Sequence, residues 1–196
     1  MMPPMNPFER FRLLLEEARK VQPEDFNGMT LSTVGEDGRP SSRIVLLKGV
    51  DERGFVFYSN LESRKGRELA TNPWAALAFW WPALKRQVRI EGRADRVSDE
   101  EADAYFATRP RGSQVGAWAS RQSEVLGNRD VLEQTVAELE KKYANQIVPR
   151  PPHWSGIRVV PDRIEFWTDR ISRLHDRELY IRERTDAPWR VERLYP

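Results

Sequence analysis

From Met29 onward the chain is broken into short strand-like segments separated by turn signals, with helical stretches only as irregular interruptions. Residues 29–34, 41–49, 55–59, 74–81 and 87–97 are strand-length runs rich in β-branched and aromatic side chains. Glu36-Asp37-Gly38 and Asp51-Glu52-Arg53-Gly54 supply turns between them, and Pro82 separates the fourth run from the fifth. The pattern returns at 156–160, 164–168, 178–184 and 189–194. A doubly wound parallel sheet needs a helix after nearly every strand, and that alternation is missing. The expected fold is therefore mainly β with peripheral helices (α+β), built as an antiparallel barrel.

Four helices are predicted. Asn6 caps the first, over 6–20, with Pro7 in its first turn and Glu9 at the capping-box position. Phe8, Phe11, Leu15 and Ala18 share one face of it. A short helix at 63–71 ends at Asn72-Pro73, and Ser98 with Glu101 opens another that runs to Arg109. The last, over 128–143, places Leu132, Val136, Leu139 and Tyr143 on one face. Residues 147–152 read as a proline-rich loop. The chain divides into an N-terminal arm and helix, 1–28, and a barrel domain, 29–196.

Composition narrows the chemistry. The 196 residues suit one domain, with 39% hydrophobic and 32% charged residues. The 32 Lys and Arg are nearly balanced by 30 Asp and Glu, so the net charge of +2 gives little reason to expect nucleic acid. The absence of cysteine excludes disulfides, thiol catalysis and thiolate metal sites, and two histidines cannot build a histidine-rich metal centre, so no metal is expected. There is no apolar run of the roughly 18 residues that a membrane span requires. Nor does residues 1–7 have the basic start and apolar stretch of a signal peptide, so a cytoplasmic protein without membrane partners is expected.

No Gly-rich phosphate loop occurs, so any bound phosphate must be held by side-chain cations. Arg43-Ile44-Val45-Leu46-Leu47-Lys48 is an apolar strand with a cation at each end. Alternation puts Arg43, Val45 and Leu47 on one face and Ile44, Leu46 and Lys48 on the other. Ser63-Arg64-Lys65-Gly66-Arg67 joins backbone donors at a helix start to adjacent cations, the makings of a phosphate site. Gln87, at the start of a strand, offers an amide to the polar edge of a ring. Tyr105 and Arg109 are four apart on one helix face, and a Pro/Gly turn folds Ser113 back toward them, giving a phosphomonoester clamp. Further along, Ile164-Glu165-Phe166-Trp167 precedes Arg173-Leu174-His175-Asp176-Arg177. If that stretch is extended, Arg173 and His175 share a face, and the crowding of Arg173 and Arg177 invites an anion between them. Each motif alone also fits an ordinary core strand or a solvated basic turn.

In order along the chain, these segments resemble the pyridoxine/pyridoxamine 5'-phosphate oxidase family. The resemblance is carried by R-I-V-L-L-K at 43–48, S-R-K-G at 63–66, R-P-R-G-S-Q-V-G-A-W-A-S-R-Q-S at 109–123, I-E-F-W at 164–167 and R-L-H-D-R at 173–177. It implies an FMN-binding split β-barrel, a homodimer with flavin at the subunit interface, and oxidation of pyridoxamine and pyridoxine 5'-phosphate to pyridoxal 5'-phosphate. Molecular oxygen would be the acceptor and hydrogen peroxide the by-product. The resemblance puts the FMN phosphate on Arg43, Arg64 and Lys65, with Gln122 and Ser123 nearby. Ile44, Val45, Leu46, Leu47, Lys48, Tyr58, Ser59, Gln87, Trp167 and Arg177 would line the rest of the flavin site. It assigns the substrate phosphate to Lys48, Tyr105, Arg109 and Ser113, and places Arg173, Leu174 and His175 at the substrate ring, with Arg173 and His175 catalytic. Asp25 matches a position near the active site in some members. Ser59 stands where Thr is common, Phe11 where Trp is common and Tyr195 where Ala is common; no implied ligand is lost.

Two rival readings remain at this point. One is a flavin oxidase of the same superfamily with another substrate, such as a phenazine-pathway intermediate. The other is a non-catalytic barrel that stores flavin or binds single-stranded nucleic acid, for which seven Trp and many Arg supply stacking and phosphate contacts. Lys48 and the Tyr105, Arg109 and Ser113 set argue against the first, and the near-neutral charge against the second.

Overall fold

The computed structural model describes residues 5–196; the first four residues of the predicted arm lie outside the described part. Helix α1 (Pro7–Val21) begins as expected, with the Asn6 side chain accepting from the Phe8 amide at 2.8 Å and Pro7 in the first turn. Its apolar face turns Phe8, Phe11 and Ala18 inward. Nine strands follow: β1 (Gly28–Val34), β2 (Pro40–Leu46), β3 (Gly49–Asp51), β4 (Gly54–Asn60), β5 (Trp74–Trp81), β6 (Arg86–Arg96), β7 (Trp154–Thr168), β8 (Asp176–Ile181) and β9 (Arg190–Arg193). Between them lie α2 (Arg64–Thr71), α3 (Asp99–Thr108), α4 (Arg111–Ala119) and α5 (Arg129–Lys142). Among the described residues, no helix is long and apolar enough to cross a membrane.

All the strand pairs are antiparallel, in the order β2-β1-β5-β6-β7-β4-β3, with β8 on β7 and β9 on β8. The sheet curls because β7 serves two neighbours on one side. Its first half pairs with β4 and its second half with β8, while β6 runs along the other edge of both. The sequence suggested two strands here, broken before Ile164; the structure has one of 15 residues. Pro161 does not end it, because Pro161 lies opposite a register shift between Glu91 and Gly92, where a missing ladder donor is tolerated. Gly92 is required at that bulge, since a Cβ there would stand 2.2 Å from the Val160 carbonyl oxygen.

The core lies inside the curl. Phe11 meets Phe55 edge-on at 4.9 Å and Phe79 at 5.0 Å between ring centroids, and Trp81 donates its indole N–H to the Phe26 carbonyl at 2.8 Å. Each buried aromatic stabilises the fold by roughly 1.5–3 kcal/mol of transfer free energy. A second cluster of Phe106, Val115, Tyr143, Val148 and Trp154 seats α3, α4 and α5 against the start of β7. Two arginines anchor α3. Arg158 bonds Asp51 at 2.8 Å and Glu101 at 2.7 Å, and Arg150 bonds Asp99 at 2.9 Å and Asp103 at 2.5 Å.

Helix α4 is absent from the sequence reading, which made 109–113 a turn. Pro110 is instead its N-cap residue, a placement open to proline because the first turn of a helix has no use for its missing N–H. The proline begins a helix here. Arg109, expected on the face of α3, is the residue that caps its C-terminus in extended geometry.

Candidate active site

A cavity of about 980 Å³ opens between β2, β4, α2, the α3–α4 corner and the segment after α4. One end is cationic. Arg43 on β2 and Arg64 and Lys65 at the start of α2 all line it. Arg43 reaches Glu68 at 3.2 Å, and Arg64 reaches the same carboxylate at 2.8 Å. The Lys65 ammonium donates to Gln122 at 2.8 Å and to the Ser63 hydroxyl at 3.1 Å; Ser59 also donates to Gln122, at 3.3 Å. Burial and the neighbouring Arg43 charge pull Lys65 down to about 8 from an ordinary 10.5. Ser123 follows in left-handed backbone geometry, φ 76°, and also faces the cavity. The glycine of S-R-K-G is there for space, because a Cβ on Gly66 would lie 2.0 Å from the Leu61 carbonyl oxygen.

The other end is aromatic with a half-buried cation. Tyr58 and Tyr105 stack at 3.9 Å, Trp154 lies parallel to Tyr58 at 5.2 Å, and the Arg109 guanidinium sits 4.7 Å from the Trp154 ring centroid. The Arg109 Nη1 is buried without a hydrogen-bond partner among the described residues. Burial lowers the Arg109 pKa and raises that of the Tyr105 phenol. Ser113, on the first turn of α4, and Lys48, just after β2, line the same cavity. Between the two ends, Ile44, Val45 and Leu46 form an apolar wall, with Ile44 69% and Leu46 46% exposed. Leu47 is not part of it: its side chain is buried in the barrel core.

The remaining predicted residues lie elsewhere on the chain. Gln87, Trp167 and Arg177 are register partners across β6, β7 and β8, and so share one face of the sheet. The His175 ring lies 4.4 Å from Trp167. None of these lines the cavity, nor do Arg173, Leu174 or Asp25. The segment around Arg173 is not extended: Ile171–Arg173 form a single 3-10 turn, with Ser172 at φ 58° and Arg173 at φ 62°. Two successive non-glycine residues in left-handed geometry mark local strain, a feature that gathers at functional sites. Arg173 and Leu174 are exposed there, and His175 Nδ1 accepts from the Arg170 amide at 3.2 Å. Nor does Arg177 crowd Arg173 around an anion. It forms a two-pronged pair with Glu165, Nε–Oε1 2.8 Å and Nη2–Oε2 3.1 Å, which satisfies its charge internally.

Two contributors escaped the sequence reading. Glu68 sits four residues after Arg64, an ion-pair spacing visible in the sequence, but its contacts to Thr33, Ser41 and Arg43 come only from folding. Trp154 enters through the pairing of β7 with β4, opposite Asn60, and has no local signal.

The geometry fits a ligand with anionic groups at two places and a flat apolar body. Residues 14–143 match the family model described as pyridoxamine 5'-phosphate oxidase, and residues 154–196 match the pyridoxine 5'-phosphate oxidase C-terminal dimerisation region. A pyridoxine/pyridoxamine 5'-phosphate oxidase of Myxococcus xanthus (strain DK1622) is 62% identical over 100% of this chain and 94% of its own. One from Synechocystis sp. is 53% identical over 97% of this chain and 88% of its own. Among solved structures, PhzG from Burkholderia lata 383, in complex with tetrahydrophenazine-1-carboxylic acid, superposes with a TM-score of 0.92 at 32% identity, covering 99% of this chain and 94% of its own. An FMN-binding protein from Nostoc punctiforme, 17% identical and covering 98% of each chain, shares the fold at a TM-score of 0.78. With its curled antiparallel barrel and full-length relatives, the chain belongs to the pyridoxamine 5'-phosphate oxidase family.

Proposed function

We propose that this protein is an FMN-dependent oxidase that converts pyridoxamine 5'-phosphate and pyridoxine 5'-phosphate to pyridoxal 5'-phosphate, with O2 as electron acceptor and H2O2 as product. The observation that carries this reading is the separation of two cationic ends in one cavity, one of them holding an arginine nitrogen with no partner. A single phosphorylated ligand uses one such end; a phosphorylated cofactor beside a phosphorylated substrate uses both.

In this reading Arg43, Arg64 and Lys65 hold the FMN phosphate, with Gln122, Ser123 and Ser59 completing the polar contacts. Ile44, Val45 and Leu46 lie along the flavin. When bound, the flavin supplies the hydride acceptance that no side chain of this chain can provide. Lys48, Tyr105, Arg109 and Ser113 bind the substrate phosphate; Arg109 gives charge-assisted bonds and the neutral Tyr105 donates. Fixing the phosphate at a distance from the reacting carbon orients that carbon without altering its chemistry. The active form is a homodimer, in which Gln87, Trp167 and Arg177, with Arg173, Leu174 and His175, reach the cavity from a second copy of the chain. Support comes from the dimerisation-region match at 154–196 and from the exposed Leu174, 68% accessible, beside the strained turn. Arg173 stabilises charge at the ring hydroxyl as the C4' hydrogen leaves, and His175 orients the same hydroxyl.

The likeness to PhzG favours a second reading, oxidation of an unphosphorylated tricyclic carboxylate. The Lys48, Tyr105, Arg109 and Ser113 set suits a phosphate better. Oxygen uptake and aldehyde formation, followed with each phosphorylated vitamer and with its unphosphorylated form, decide between them. Equimolar oxygen loss and aldehyde gain with the phosphorylated compounds alone supports the proposal. Turnover that ignores the phosphate contradicts it.

A further inference from the structure

Glu68 is a buried carboxylate placed among the cations of a phosphate site, where its own charge opposes anion binding. It accepts from Arg64 Nε at 2.8 Å, Arg43 Nη2 at 3.2 Å and the Ser41 hydroxyl at 2.7 Å, and also from the Thr33 hydroxyl. Burial alone raises a carboxylate pKa; these donors override it and hold Glu68 down at about 2, so it is ionised at any working pH. Arg43 is fixed by the same group of residues, bonding the Leu31 carbonyl and the hydroxyls of Thr33 and Ser41 as well as Glu68. Its position is therefore set before any ligand arrives.

The charge count is informative. Arg43, Arg64 and Lys65 bring three positive charges and Glu68 removes one, leaving two. A phosphate monoester carries close to two negative charges at neutral pH, since its second pKa is about 6. The pyrophosphate bridge of FAD carries only one per phosphorus, and each phosphorus there has two non-bridging oxygens where a terminal monoester has three.

We propose that Glu68 is a positioning residue that sets this cradle for a terminal phosphate monoester, by holding Arg43 and Arg64 in place and trimming three cations to two net charges. The inference rests on reading Arg43, Arg64 and Lys65 as the FMN phosphate site. It adds a basis for preferring FMN over riboflavin and over FAD. The cost of the negative charge is offset by arginines that lose no freedom on binding.

The test titrates the full chain, freed of flavin, with FMN, riboflavin and FAD, following the quenching of flavin fluorescence. Glu68→Gln is expected to weaken FMN binding tenfold or more and to change riboflavin binding less than twofold, so that the preference for FMN collapses. Glu68→Asp restores part of it. Equal weakening of FMN and riboflavin means that Glu68 merely fastens α2 to the sheet, and overturns the proposal; so does tighter FMN binding by the Gln variant. If Glu68→Gln does not fold, Thr33→Val removes one hydroxyl from the network without changing side-chain shape. A smaller loss, confined to FMN, is then expected, and an unchanged FMN-to-riboflavin ratio overturns the proposal. A parent chain with no preference for FMN over riboflavin would instead overturn the phosphate-site reading beneath it.

Discussion

Arg109 lies over the indole of Trp154, 4.7 Å from the ring centroid, with its Nη1 buried and without a partner. An unpaired buried guanidinium nitrogen carries a desolvation cost that an incoming phosphate oxygen removes. Arg109→Ala should therefore raise KM for the phosphorylated substrate by roughly tenfold to a hundredfold, the equivalent of a charge-assisted bond of about 1.5–3 kcal/mol. The flavin spectrum should stay as in the parent. Arg64→Ala should do the reverse, loosening FMN with little effect on KM at saturating flavin. Loss of flavin from both variants, with KM preserved, would merge the two phosphate sites into one.

In the proposed flavin site, Lys65 should make binding depend on pH. In the flavin-free chain burial and Arg43 hold it at about 8, below the ordinary 10.5. A bound phosphate stabilises the ammonium and raises that value, so binding takes up a proton once the pH exceeds 8. Affinity should be flat between about pH 7, where the phosphate is already a dianion, and pH 8, and then fall, approaching about tenfold per pH unit, until the pKa of the bound form is passed. Isothermal titration in two buffers of different ionisation heat at pH 9 should detect the proton uptake. Lys65→Met should abolish it and flatten the profile.

Glu68 has the opposite sign. Its pKa falls from 4.5 to about 2 on folding, so it contributes stability that is complete above pH 4.5 and lost as pH drops toward 2. Acid unfolding, followed by circular dichroism in the flavin-free chain, should be less steep in Glu68→Gln over that window.

Much of this architecture was legible in the sequence. The strand at Trp74–Trp81 is found at its predicted bounds, because an aromatic run closed by Asn72-Pro73 before it and Pro82 after it leaves no other choice. Ser98 caps the helix it was expected to cap, accepting from Glu101, and Ser63, expected at the start of a helix, is the N-cap of that helix, accepting from Gly66. Where the reading failed, a distant partner decided the outcome. Pro161 is harmless because of a bulge on the neighbouring strand, and Pro110 opens a helix whose apolar side packs against α3 and α5. The same limit applies to the site. Arg43, Arg64, Lys65, Tyr105 and Arg109 sit in local motifs, but Glu68 and Trp154 join them only through tertiary contacts. Arg177 also sits in a local motif, but no spacing rule disclosed its internal partner, Glu165.

Gly66 is a sharp test of the cradle's backbone. A methyl group there meets main-chain atoms of Leu61, the nearest at 2.0 Å, whereas a methyl on Gly112 meets nothing within 4 Å. Gly66→Ala should displace the start of α2 and release flavin, with a lower melting temperature. Gly112→Ala should melt at or a few degrees above the parent, because alanine with free space in a helix is favoured over glycine by up to about 1 kcal/mol.

Non-covalent flavin is expected, since the chain has no cysteine to form a thioether and only two histidines. Acid precipitation should leave a colourless pellet and a yellow supernatant containing FMN. Colour retained in the pellet, or FAD in the supernatant, would contradict this.

The central claim is that this chain passes a hydride from a phosphorylated B6 vitamer to its flavin. Anaerobic rapid mixing isolates that step from reoxidation by oxygen. With pyridoxine 5'-phosphate or pyridoxamine 5'-phosphate, the oxidised flavin band should bleach in a single phase that saturates with substrate, and it should slow at least tenfold in an Arg173→Ala, His175→Ala double variant that keeps its flavin. Unphosphorylated vitamers should bleach it only at far higher concentration. A flavin that stays oxidised with the phosphorylated vitamers, or that is reduced equally well without the phosphate, would contradict the account.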